Sequence, residues 1–394
     1  MNKTALATAA AVCSLSASGS AFAAEAQLYG RVDTAFIFQD VKSADHATFK
    51  LENAASRIGL NVKEELTNDL SVHAYLETGF NSDDGSLSNT SGGAKSGSAM
   101  LFDRRSILSI KSKTWGEIGF GRMGTVRSTM APFGNGLVTL DPFETAYSMD
   151  CSISGMFGND ARGNNSISWL SPKWAGWTFG TTYSMATVGQ ESEHTGENDR
   201  QLSGLATYDN GTFRAVLGAT QQWFGEVDAA GQLVKNYDRK NAQAYTLGGT
   251  WQATPSLKLF TAVQYHKNWR MVGGWNVDKW YAGSNPADAS HGIDGTTALI
   301  GLQYWPAKNV RLITDYMYFD GDHKMADGST IDARRHVVNG AAEYHLSKTA
   351  RIYCSLSYSH GSGALGSDET FDHFNSSAND INRITSYMGL QVRF

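Results

Sequence analysis

The chain is predicted to be all-β, a transmembrane barrel of sixteen antiparallel strands. Two observations predict this. Apolar and polar residues alternate with a period of two in sixteen segments along the chain. The segments are joined alternately by tight turns and by long polar loops, so one end of the assembly would carry the turns and the other the loops. An even strand number with that asymmetry is the pattern of a membrane-spanning barrel.

The first element in the chain is a leader. Residues 1–23, "MNKTALATAAAVCSLSASGSAFA", carry one lysine, a short Ala/Ser-rich apolar stretch and Ala21-Phe22-Ala23 at the end. This is the layout of a secretory signal peptide cut after Ala23. Val12 before Cys13 is larger than the small residue that lipoprotein processing prefers. Residues 24–394 then form one barrel domain outside the cytoplasm. There are 6 prolines, and none interrupts an alternating segment, as paired strands require. No Pro/Ser-rich linker divides the chain.

The strands follow in order. Their predicted spans are 27–39, 56–64, 69–80, 102–111, 114–122, 164–172, 176–186, 200–209, 212–222, 240–253, 256–268, 295–305, 309–319, 334–346, 349–360 and 382–394. From Leu257, for example, Leu257, Leu259, Thr261, Val263 and Tyr265 oppose Lys258, Phe260, Ala262, Gln264 and His266. Strands of about nine to eleven residues suit a tilted crossing of the hydrocarbon layer. Short turns read "ELTNDL", "SPKWAG", "YDNGT", "ATPS", "WPAKN" and "LSKT"; long loops lie near 40–55, 81–101, 123–163, 187–199, 223–239, 269–294, 320–333 and 361–381. Trp115, Trp174, Trp177, Trp251 and Trp305 fall near the turns, and Tyr265, Trp223, Trp269, Tyr318 and Tyr358 near the loops. Two such bands resemble the girdles at membrane interfaces, although aromatic residues are favoured in strands generally. The last strand must pair with the first, because a closed barrel has no free edge; its outward set ends in Phe394.

The formal net charge is −5, which disfavours nucleic-acid binding, since that needs basic excess. No run of apolar residues is long enough for a transmembrane helix, which needs about eighteen or more. "GSGALG" (Gly361–Gly366) opens no helix, so it is no dinucleotide motif. "DGDHKMAD" (Asp320–Asp327) has Lys324 where a calcium loop wants Asp or Asn. The 10 histidines show no metal-ligand spacing, and no G-x-S-x-G elbow appears. No cofactor, metal or catalytic residue is expected. Cys151 in a loop and Cys354 on an outward apolar face are expected to remain unbridged thiols.

"LYGRVDTAF", "SRIGLNVKEEL", "RRSILSIKSKTWGEIGFGR" and "YMGLQVRF", in this order, resemble the Gram-negative general porin family, in its β-proteobacterial and neisserial branch. The resemblance implies an outer-membrane homotrimer of barrels, each with a water-filled pore for small hydrophilic solutes and ions. It implies that Phe394 is an assembly signal read by the outer-membrane assembly machinery. It also implies that the third long loop, 123–163, folds inward and narrows the lumen. Arg31 in "LYGR", Arg57 in "SRIGL" and Arg104 in "DRRSIL" match basic wall positions of such a constriction, with Arg162 as a fourth. Asp141 and Glu144 in "LDPFETAY", with Asp150, would oppose them from the loop. Opposed charges in a narrow channel set a transverse field; the alternative is scattered surface charge of small effect. Outer-loop acids such as Glu191, Glu193 and Glu197 lie beyond a Debye length of about 8 Å from the constriction. The local balance is therefore basic, and a weak to moderate anion preference is expected. A substrate-specific channel of the same fold and, third, an outer-membrane barrel enzyme are the alternatives.

Overall fold

The computed structural model describes residues 24–41, 47–87, 100–129, 132–144, 151–158, 162–187, 191, 195–225, 239–272, 275–276, 286–366 and 380–394. The leader and Asp150 lie outside these residues. Sixteen wall strands follow one another: β1 (Glu25–Val41), β2 in two pieces (Thr48–Asn53 and Arg57–Glu65), β3 (Leu70–Gly79), β4 (Arg105–Ser112), β5 (Gly116–Gly124), β6 (Arg162–Leu170), β7 (Trp177–Ser184) and β8 (Arg200–Asp209). They continue as β9 (Phe213–Trp223), β10 (Ala242–Thr254), β11 (Leu257–Trp269), β12 (Ile293–Ala307), β13 (Val310–Lys324), β14 (Thr330–His345), β15 (Ala350–Gly363) and β16 (Asp380–Arg393). Each pairs antiparallel with its sequence neighbours. The barrel closes where β16 meets β1, with Arg31 opposite Arg393 through to Val41 opposite Arg383. Closure leaves no free sheet edge, which a lipid-embedded structure demands.

All sixteen predicted segments correspond to wall strands, but their lengths divide the barrel into two sides. Strands β3–β8 have 8–10 residues, whereas β10–β16 have 13–16. The loop predicted at 320–333 shrinks to 325–329, because His323 pairs with Ile331 and Lys324 with Thr330. Beyond the apolar belt both faces of these strands meet polar surroundings. The alternation fades there while the hydrogen-bond ladder continues. Both pieces of β2 pair with β1; at the break between them Ala54 N donates to Asp33 O (2.9 Å).

The faces are inverted relative to a water-soluble barrel. Leu28, Val32 and Phe36 on β1, Leu217 on β9, Leu247 on β10, Ile300 on β12 and Leu356 on β15 are exposed outward. The alternate set, including Thr220, Gln264, Asp315 and Asn339, is buried inside. Such a surface is stable only where hydrocarbon replaces water around it. Trp174, Trp177, Trp251, Tyr304 and Tyr344 are exposed toward the short-turn end, and Tyr245, Tyr265, Tyr316 and Tyr358 toward the other. Trp269 departs from the predicted band. It is 4% exposed and packs inside, edge-on against His266, rather than facing lipid.

Between β5 and β6 the described residues 125–129, 132–144 and 151–158 include a short α-helix, α1 (Gly136–Leu140), and a 3-10 turn at Ile153–Gly155. Val126, Phe133, Leu137, Leu140, Ile153, Met156 and Phe157 share a hydrophobic cluster with inward-facing wall residues such as Ala244, Phe260 and Leu299. Gly119 on β5 permits the approach of Phe133: a Cβ there would lie 2.5 Å from the ring. Polar anchors flank this cluster. Val126 N donates to Thr182 Oγ1 (3.0 Å), Thr297 Oγ1 to Met156 O (3.2 Å), and Gln303 Nε2 to Pro142 O.

Candidate functional site

The register of the first four strands assembles a charged cluster. Arg31 on β1 lies directly opposite Arg57 on β2. Arg57 faces Gly79 on β3, and Glu77, two residues back, faces Arg105 at the start of β4. Glu77 is 1% exposed. Its carboxylate takes Arg104 Nε at 2.6 Å, Arg105 Nη2 at 3.5 Å and Arg57 Nε at 4.0 Å. Tyr29 OH donates to the same carboxylate (2.8 Å). Three guanidinium groups thus converge on one buried acid.

Arg31 is buried as well. Its Nε donates to Ala55 O (3.0 Å) and lies 3.8 Å from Asp33. Asp33 in turn accepts from Tyr353 OH (2.7 Å) and from Gln391 Nε2, so the barrel seam fixes this carboxylate. Arg162 opens β6 and is coupled electrostatically to Arg104, Glu77, Arg122 and Asp103. Arg122 Nε donates to Asp103 O (2.6 Å), and Asp103 accepts from Gly79 N (2.9 Å). The wall arginines expected from sequence, Arg31, Arg57, Arg104 and Arg162, therefore occupy one neighbourhood. Arg104 precedes β4, so strand alternation does not govern it. This is why it and the adjacent Arg105 can both reach Glu77.

Glu77, Asp33, Asp103, Arg105 and Arg122 complete the cluster and were missed from sequence. A signal existed for Glu77. In β3, Leu70, Val72, Ala74 and Leu76 share one parity, and Ser71, His73, Tyr75 and Glu77 the other. That alternation alone turns Glu77 to the inside.

Two of the three loop acids, Asp141 and Glu144, lie among the described residues. Asp141 is 1% exposed and accepts from Phe143 N (2.9 Å) and Ser152 Oγ (3.2 Å). Glu144, with φ 54°, ion-pairs with Arg311 Nη1 at 3.1 Å. Arg311 belongs to a second basic cluster on β13–β15. It binds the buried Glu343 through Nε (2.7 Å) and Nη2 (2.9 Å), and Arg351 Nη1 and His345 Nε2 bind the same carboxylate at 2.6 and 3.0 Å. Glu144 thus meets this cluster rather than the one around Glu77. The two cysteines among the described residues are unbridged: Cys151 is buried beside Phe143, Ile313 and Tyr353, and Cys354 is exposed outward.

Comparison with known proteins agrees with this architecture. The sequence profile of Gram-negative porins matches residues 6–364. An outer membrane porin protein of Bordetella pertussis is 26% identical over 381 residues, covering 86% of this chain and 91% of that protein. Outer membrane porin protein 32 of Delftia acidovorans is 27% identical over 362 residues, covering 88% of each. The solved anion-selective porin from Comamonas acidovorans superposes with a TM-score of 0.67 at 20% identity, over 94% of this chain and 100% of that one. Sixteen closed strands, an apolar outer face and a match over most of its length make the chain an outer-membrane channel protein belonging to the Gram-negative porin family.

Proposed function

We propose that the barrel is a general diffusion porin with a preference for small anions, and that residues 123–163 form its constriction. The observation that carries the anion preference is the cluster around Glu77. Arg31, Arg57, Arg104, Arg105, Arg122 and Arg162 are gathered near three carboxylates, Asp33, Glu77 and Asp103. The basic excess lies on the wall, while Glu144 is paired with Arg311. A solute crossing there meets positive potential in a channel whose low-dielectric walls strengthen it. Such a site selects by charge and size, so passage is passive and needs no catalytic group.

The constriction reading rests on the contacts of residues 125–158 with inward-facing Thr182, Thr297 and Gln303. A barrel of sixteen strands otherwise leaves a wide aqueous channel. The family resemblance to the anion-selective Comamonas porin favours the same charge preference. Cleavage after Ala23 and assembly into a homotrimer belong to this reading. The test is a reversal potential under a salt gradient in a planar bilayer, for the unmodified protein and for Arg57→Gln. Anion preference that weakens in the variant supports the proposal, and cation preference in the unmodified protein refutes it.

A further inference from the structure

One arginine in the segment between β5 and β6 belongs to neither charged cluster. Arg127 is fully buried. Its Nε donates to Thr220 Oγ1 on β9 (2.8 Å), and its Nη1 to Thr246 Oγ1 on β10 (3.3 Å). Its Nη2 donates to Gly158 O, at the far end of the same segment (2.7 Å). The guanidinium carbon lies 5.4 Å from the centre of the Trp269 ring at the end of β11. One side chain near the segment's start therefore binds the segment's end and three consecutive wall strands. Its backbone takes part too, since Arg127 O accepts from Leu137 N (2.8 Å) at the start of α1.

The side-chain type fits this task. A planar guanidinium has donors in a fixed fork and can stack on an aromatic face while all of them bond. A lysine ammonium is a single point on a flexible stem and cannot reach acceptors on two strands and a distant turn together. Burying a cation costs several kcal/mol, and burial pulls the Arg127 pKa down to about 9. The group stays charged at neutral pH, so its desolvation must be offset by these contacts. By contrast, Val126, Thr297 and Gln303 each supply one bond between segment and wall.

We propose that Arg127 is the positioning residue of the constriction: its fork sets how far the segment stands from the β9–β11 wall, and so sets the open cross-section of the pore. This rests on the reading of residues 123–163 as the constriction. It assigns Arg127 no contact with permeating solute; it acts through the segment it holds.

The test compares single-channel conductance and current noise in planar bilayers for the unmodified protein, Arg127→Met and Arg127→Lys. Heat-modifiable migration on gels first confirms that each forms a barrel. Methionine keeps much of the stem and loses the fork and the charge; lysine keeps the charge and loses the fork. Positioning by the fork predicts that both variants show noisier openings and a conductance raised about twofold, since an aqueous pore conducts in proportion to its open area. If lysine behaves like arginine, charge alone suffices and the proposal is wrong. It is also wrong if methionine leaves conductance and noise unchanged. Should Arg127→Met fail to form a barrel, the paired substitution Thr220→Val with Thr246→Val removes the wall acceptors and is held to the same outcome. A variant shortened within residues 132–157 separates the two claims. Raised conductance there with no effect at Arg127 overturns only the role of Arg127; unchanged conductance there overturns the constriction itself.

Discussion

Gly30 and Phe394 close the barrel by exchanging both main-chain hydrogen bonds, Gly30 N to Phe394 O at 2.9 Å and Phe394 N to Gly30 O at 3.1 Å. The Phe394 ring lies over Gly30 so closely that a Cβ there would be 2.5 Å from Cζ and 2.8 Å from Arg57 O. The first and last strands meet at this pair, next to the Arg31–Arg57 row that carries the candidate site. Closure and pore chemistry are therefore neighbours in the wall.

The seam should respond to changes on either strand. Gly30→Val forces the terminal ring and the Arg57 carbonyl apart, and deleting Phe394 removes two ladder bonds and the ring together. Both are expected to lower the yield of heat-modifiable barrel, with little change in the conductance of the molecules that do fold. Normal yield from Gly30→Val would show that the ring contact does not matter for closure.

Glu77 separates stability from selectivity. Glu77→Gln leaves Arg57, Arg104 and Arg105 around a neutral amide. Breaking a buried ion cluster by removing one partner costs about 3–5 kcal/mol, so thermal denaturation of the barrel should shift to lower temperature. The folded fraction should prefer anions more strongly, because one negative charge has left the cluster. Unchanged stability would mean that water screens these groups far more than their burial implies.

Glu144 gives the opposite balance. Its side chain is 48% exposed, and Arg311 keeps its two bonds to Glu343. Glu144→Gln should therefore alter stability by less than about 1 kcal/mol, while raising anion preference. Glu343→Gln, which removes the carboxylate that Arg311 and Arg351 share, should destabilise more. Equal effects from the two variants would contradict the assignment of Glu343 as the structural acid.

The cysteines report the orientation of the wall. Cys354 faces outward among Phe36, Leu51 and Leu390, so in membranes a lipid-soluble maleimide should label it and a charged one should not. Cys151, buried beside Phe143, should react with neither until the protein is denatured. Labelling of Cys354 by the charged reagent would place that face in water.

The wall was legible in sequence because lipid on one side and polar interior on the other impose a period of two on each strand. Leu217 and Thr220 show both halves of that rule. Where the environment is polar on both faces, as around Ile331 and Asp332, the rule lapses and the strand ends were misjudged. Arg57 was readable from parity and Arg31 from the resemblance of "LYGR"; Glu77 was readable from parity too, and was overlooked. The segment between β5 and β6 has no period. Side-chain directions there depend on local backbone, such as the positive φ of Glu144 and the turn that Asp141 caps. Neither the pairing of Glu144 with Arg311 nor the burial of Arg127 could be inferred from spacing.

The central claim is that wall arginines, not the net charge of −5, decide which ions pass. Its most direct measurement is the zero-current potential of the unmodified protein across a planar bilayer with a tenfold potassium chloride gradient. The expected sign corresponds to chloride crossing more readily than potassium, with the potential moving toward zero in Arg57→Gln. A potential of the opposite sign in the unmodified protein would contradict it.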